Sequence, residues 1–178
     1  MRKLFFAAAM LLLSQAGFGQ AVKDNAVIPV SITLNSILRL TVTSGGNIQF
    51  VVNTIDQYTS GIANSAQYTT NFVVSSSRDF DVTLGAEDPN FIGLETGTAM
   101  DLAFLRYTVD GSAGANTTLT ELPYLSSPEV IVSYSAGGNL AYAIHWELGT
   151  GGTAGSLLAA NLPADIYVTN VFLNLVPQ

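Results

Sequence analysis

Apolar and polar residues take turns along most of this chain, and the dominant spacing is two. Such a period turns one row of side chains towards a core and the other towards water, the geometry of a half-buried β-strand. Ile28, Val30, Ile32 and Leu34 alternate with Pro29, Ser31 and Thr33. Leu38, Leu40 and Val42 follow, with Arg39, Thr41 and Thr43 opposite them. Ile48, Phe50 and Val52 make the next row, after the turn-forming Ser44-Gly45-Gly46-Asn47. Tyr68, Thr70, Phe72 and Val74 precede Phe80, Val82 and Leu84, and the polar tract Ser75 to Asp79 between them predicts a hairpin connection.

Strand-like composition resumes from Leu102 to Val109, beyond a Gly-, Pro- and Asn-bearing stretch from Gly85 to Gly97. Val130, Val132 and Tyr134 form a row before Ala136-Gly137-Gly138-Asn139, a hairpin turn signal. Leu140, Tyr142, Ile144, Trp146 and Leu148 make the longest clean alternation. The last row is Tyr167, Thr169, Val171, Leu173 and Leu175. No window of helical length has a 3.6 period, and Leu157 to Leu162 has room for a single turn. About eight to nine short strands separated by Gly, Ser and Asn turns predict an all-β sandwich or barrel. The folds that cross between parallel strands with helices lack the helices they need here.

The first residues break this pattern. Arg2 and Lys3 precede the uncharged apolar run Leu4 to Leu13, and Ser14 to Gln20 is small and polar. That three-part layout predicts a signal peptide over residues 1–19, cut between Gly19 and Gln20, with residues 20–178 as one β domain. The apolar run is too short to span a bilayer, and no second long one follows, so the mature chain is expected not to cross a membrane. Export implies the periplasm, the outer surface or the medium. Without residues 1–19, the cations left are Lys23, Arg39, Arg78 and Arg106, against all 13 acids. Nucleic acid is not an expected partner, because binding it needs a basic footprint. The 178 residues include no cysteine, which excludes thiol catalysis and disulfide staples.

Both termini of the mature chain are strand-like, and an open sandwich must protect its edges or use them. The segment Asp165 to Val176 has large apolar residues on both faces, which suits a central strand of the domain's own sheet. The other reading is pairing between subunits, with Tyr167, Val171, Leu173 and Leu175 as contact residues. Val27, Ile28, Val30, Ile32 and Leu34 form the second candidate assembly strand, and Pro29 suits an edge or a strand start because proline donates no ladder hydrogen bond.

Two stretches carry a family resemblance, Tyr68 to Leu84 (YTTNFVVSSSRDFDVTL) and Leu162 to Leu175 (LPADIYVTNVFLNL). Both resemble the paired strands of secreted bacterial pilin-like domains. Spore-coat-U-like and fimbrial-subunit domains end similarly, with Leu-Pro-Ala-Gly-x-Tyr before an alternating terminal strand. This chain has Asp165 in the place of that Gly, has no cysteine pair, and ends Val176-Pro177-Gln178 rather than with a penultimate Tyr. The resemblance implies a single immunoglobulin-like or pilin-like antiparallel β-sandwich in a secreted or cell-surface structural protein.

Candidate chemistry is sparse. The one histidine, His145, faces away from the Leu140/Tyr142/Ile144 row, and no G-x-S-x-G elbow accompanies it, so no catalytic residue is assigned. Asp79, Asp81, Glu87, Asp88 and Asn90 are rich in oxygen but lack the D-x-D-x-D-G loop of a calcium site, so no metal or cofactor is assigned. Trp146 and Tyr142 share a face and read as sandwich core, with a sugar-stacking platform as the alternative. Asn116-Thr117-Thr118 matches a glycosylation sequon.

These observations point to a non-enzymatic secreted or cell-surface structural or adhesion subunit. Its expected partners are proteins, a second copy included, joined by β-strand pairing. The alternative is a secreted carbohydrate-binding β-sandwich module.

Overall fold

A computed structural model describes residues 28–178. Asn35–Gln178 forms one compact unit, and Ile28 to Leu34 falls outside it with no regular secondary structure. Val27 and the expected Gly19–Gln20 cleavage site lie outside the described residues.

The architecture is all-β and sandwich-like, as the period-two pattern requires. Eleven strands are present among the described residues: β1 (Leu38–Ser44), β2 (Thr69–Ser76), β3 (Phe80–Ala86), β4 (Asn90–Gly93), β5 (Ala99–Asp101), β6 (Leu105–Gly111), β7 (Thr120–Glu121), β8 (Glu129–Tyr134), β9 (Gly137–Leu148), β10 (Tyr167–Val168) and β11 (Val171–Pro177). They form three antiparallel sheets, ordered β1-β2-β9-β6-β7, β11-β3-β8 and β10-β4-β5. The count exceeds eight to nine because β4, β5, β7 and β10 are too short for an alternating pattern to reveal.

The core lies between the first two sheets. Phe72 and Val74 of β2, Val109 of β6 and Tyr142 and Ile144 of β9 face Phe80, Val82 and Leu84 of β3 and Ile131 and Val132 of β8. Two expected hairpins are instead arches. β2 pairs with β1 and β9 while β3 pairs with β8 and β11, so the Ser77–Asp79 link crosses from one sheet to the other. Buried Ser76 ties that crossing, its hydroxyl donating to the Arg78 carbonyl and accepting from the Arg78 N–H. The β8–β9 link also changes sheets, because β9 pairs with β2 and β6. A reversal of direction is common to hairpins and arches, and the apolar rows on both sides of each link meet face to face across the core.

β8 corrects a finer expectation. Its ladder to β3 steps from Val132 to Val130, so Ile131 is an extra residue and both Ile131 and Val132 are buried. Such a bulge flips the parity of the strand, so Val130 is left exposed, while Tyr134, in step with Val132, is exposed at the strand's end. The terminal segment is also not one central strand. It divides at Thr169-Asn170 into β10 and β11, and each is the edge strand of its sheet.

Two short helices complete the fold, α1 (Ile55–Ser60) and α2 (Leu157–Ala160). α1 has a capping box: the Thr54 hydroxyl accepts from the Gln57 N–H, and the Gln57 side chain accepts from the Thr54 N–H. Among the described residues no helix is long and apolar enough to cross a membrane.

Candidate functional site

β1, β10 and β11 end their three sheets on one side of the molecule, and an open groove of about 1000 Å³ lies between them. Its floor is backed by the buried core side chains Leu84, Leu105, Ile144, Trp146 and Leu148. Leu40 and Val42 of β1 and the chain from Gly45 to Val52 form one side. The chain from Leu162 to Leu173 forms the other.

The first wall is placed by a relay of hydrogen bonds. The Trp146 indole N–H donates to the Thr70 hydroxyl at 2.9 Å, and that hydroxyl donates to the Gly45 carbonyl at 2.7 Å. Gly45 has φ +66°, and the Thr69 main-chain carbonyl occupies the place of a Cβ, so only glycine fits where β1 turns into the wall. Ile48, Phe50 and Val52 then point inward, and Phe50 stacks on Tyr68 at 4.2 Å between ring centroids.

The second wall is held by Asp165, the one charged residue in the lining. Its carboxylate accepts from the Thr96 N–H at 2.8 Å, the Thr96 hydroxyl at 2.7 Å, the Glu95 N–H at 3.1 Å and the Ile166 N–H at 2.7 Å. The Thr96 hydroxyl does most to hold its pKa down at about 2, against a smaller opposing effect of desolvation. A Cβ on Gly93 would collide with this carboxylate. The groove therefore presents apolar side chains and strand edges, and its one charge is already satisfied.

Of the residues considered for assembly, Tyr167, Val171 and Leu173 line the groove, and Leu175 packs on the core further along β11. Ile28, Val30, Ile32 and Leu34 are 79–90% exposed. The terminal strand and the apolar N-terminal row are thus an open edge and an uncovered segment.

The other candidates lie elsewhere. Trp146 and Tyr142 are core residues, 5% and 2% exposed, and neither offers a ring face to a ligand in solvent. Tyr142 stacks on Phe72, and its hydroxyl donates to the Ala113 carbonyl. His145 stands on the outer face of its sheet, with Nε2 3.0 Å from Asp110 and Nδ1 3.2 Å from the Thr69 hydroxyl. That hydroxyl donates to the Ser65 carbonyl, which leaves its lone pair to accept from His145. The acids near β3 serve turns and ends: Asp79 accepts from the Ala136 N–H, Asp81 from the Gln178 side chain and Glu87 from Asn170. The Asn116 side chain accepts from the Thr118 N–H within its own turn.

Alternation predicts a sheet strand at Ile48, Phe50 and Val52, after a turn at Ser44 to Asn47, but this stretch joins no sheet and forms a groove wall instead; the Asp165 clamp has no counterpart in the sequence reading. The departure from Gly at position 165 is the visible signal for the clamp, but its partners Thr96 and Glu95 lie 69 and 70 residues away. No protein-family model matches the chain, and no curated protein matches it.

Proposed function

We propose that this chain is an exported, non-enzymatic structural or adhesion subunit that assembles through β-strand pairing. The observation that carries the reading is the open apolar groove flanked by the edge strands β1, β10 and β11. Edge strands offer unpaired N–H and C=O groups, and a groove floored by core residues offers apolar pockets beside them. That combination suits an extended peptide with alternating side chains.

The chain itself carries such a peptide. Ile28 to Leu34 has seven residues, the same length as β1 and β11, and lacks charge. Extended, it spans about 23 Å. A second copy is the favoured source. Both the N–H and the carbonyl of Ile37 are held by Ser77, and a tight two-residue reversal at Asn35-Ser36 needs those same groups to face Leu34. Such a reversal would also turn Pro29, Ser31 and Thr33, not the apolar row, towards the side of Leu38, Leu40 and Val42. A donor segment and a groove are different patches of one subunit, so their contact is heterologous and builds rings or open chains of subunits.

Light scattering after size exclusion tests this on two forms of the protein, residues 20–178 and the compact unit 35–178. Ordered oligomers or fibres of the longer form, absent from the shorter one, support the reading. A longer form that stays monomeric at high concentration overturns it, as does one retained as a monomer on a polysaccharide matrix.

A further inference from the structure

The wall from Asn47 to Val52 behaves like a strand in everything except hydrogen bonding. Its side chains alternate, with Ile48, Phe50 and Val52 half-buried and Asn47, Gln49 and Val51 exposed. Both ends are pinned, by the Thr70 hydroxyl on the Gly45 carbonyl and by the Asn53 N–H on the Gln57 side chain at 2.7 Å. Yet among the described residues no main-chain hydrogen bond reaches Gly46 to Val52, and the segment belongs to none of the three sheets. Water serves such groups while the segment lies open, and an extended, anchored, alternating segment whose main-chain groups the described residues leave unused has the form of an edge strand ready to accept another.

We infer that Ile48 to Val52 is the host strand: the Ile28–Leu34 segment of a second copy enters the groove and forms a ladder with it. This deepens the assembly reading and rests on it. The ordering cost of the host is already met in the free subunit, because Phe50 stacks on Tyr68 and its neighbours pack on the core. The incoming row Ile28, Val30, Ile32 and Leu34, 79–90% exposed in the free subunit, is buried beside the half-buried Ile48, Phe50 and Val52, and its polar row faces out with Gln49 and Val51. The far edge of the incoming strand then looks towards β10 and β11.

Hydrogen exchange of residues 20–178, compared between monomeric and assembled fractions, tests the assignment. The expected result is that alternate amides within Ile48 to Val52 slow by about a hundredfold or more on assembly. A second measurement uses proline. Gln49→Pro and Val51→Pro remove N–H groups that no described residue uses, so each variant of residues 35–178 is expected to melt as the parent does. Residues two apart present their N–H groups to the same strand edge, so in residues 20–178 the two variants are expected to act alike, each impairing assembly tenfold or more. Assembly with unchanged exchange across Ile48 to Val52 and full tolerance of both prolines overturns the host assignment, and protection at β1 or β11 would then mark the true edge. Absence of any assembly in the parent chain instead removes the reading on which the assignment rests.

Discussion

Four donors converge on the Asp165 carboxylate, and each of them stabilises its charged form. The Thr96 hydroxyl matters most, desolvation opposes it, and the N–H groups of Thr96, Glu95 and Ile166 add to it, so the pKa falls from 3.8 to about 2. Because the folded value lies below the unfolded one, this carboxylate stabilises the fold fully above about pH 4, and the contribution is lost as pH falls towards 2. Melting temperatures measured between pH 5 and 2 are therefore expected to drop more steeply in the parent protein than in Asp165→Asn; parallel curves would show that the clamp adds nothing. Tyr107 is the opposite case at this scale. It is 1% exposed, its hydroxyl has no hydrogen-bond partner among the described residues, and burial pushes its phenol well above the usual range. Strand-like composition marks Leu102 to Val109 without assigning its faces, and whether the Tyr107 hydroxyl finds a partner depends on side chains far away in sequence.

Three elements meet in the Trp146–Thr70–Gly45 relay, which ties β9 to β2 and β2 to the turn that ends β1. Thr70→Val keeps the shape and removes both bonds, leaving a buried indole N–H and a carbonyl unpaired. The expected loss is about 1–3 kcal/mol in chemical denaturation, with a loosened Gly45 turn; a change below about 0.5 kcal/mol would mean that solvent from the groove replaces the hydroxyl. The relay was not legible in advance, since Thr70 read as one member of an alternating row. Strand positions were far more legible: β2, β3 and β9 lie where their rows predict. Their connections were not. The Ser75–Asp79 tract and the Ala136–Asn139 signal mark chain reversals, the second falling at Ser135-Ala136 because β9 already begins at Gly137, and both lead into the opposite sheet. The α1 helix had its own signal, Thr54-x-x-Gln57, too short a cue to compete with the surrounding strand pattern.

For the whole molecule, the proposed assembly requires that a free subunit be less stable than an assembled one. Anything that binds only the folded state raises its stability by mass action, by about 2.7 kcal/mol at a hundredfold excess over the dissociation constant. The melting temperature of residues 20–178 is thus expected to rise with protein concentration, while that of residues 35–178 stays constant. Scanning calorimetry across a wide concentration range decides this, and two flat series would remove the groove as an assembly site. The net acidic surface fits either form, since it opposes only unspecific association.

Alternation is a local property, so the sequence by itself determined that this chain makes strands, which of their faces are apolar, and where the chain turns back. It also marked Ile28 to Leu34 as strand-like while leaving its partner open. Tertiary structure alone decided which strand lies beside which, that two reversals are arches, that a bulge flips β8, and that β1, β10 and β11 border a groove. The reason is physical: the side-chain period reports how one strand faces a core, whereas sheet order depends on hydrogen bonds and packing between residues far apart along the chain.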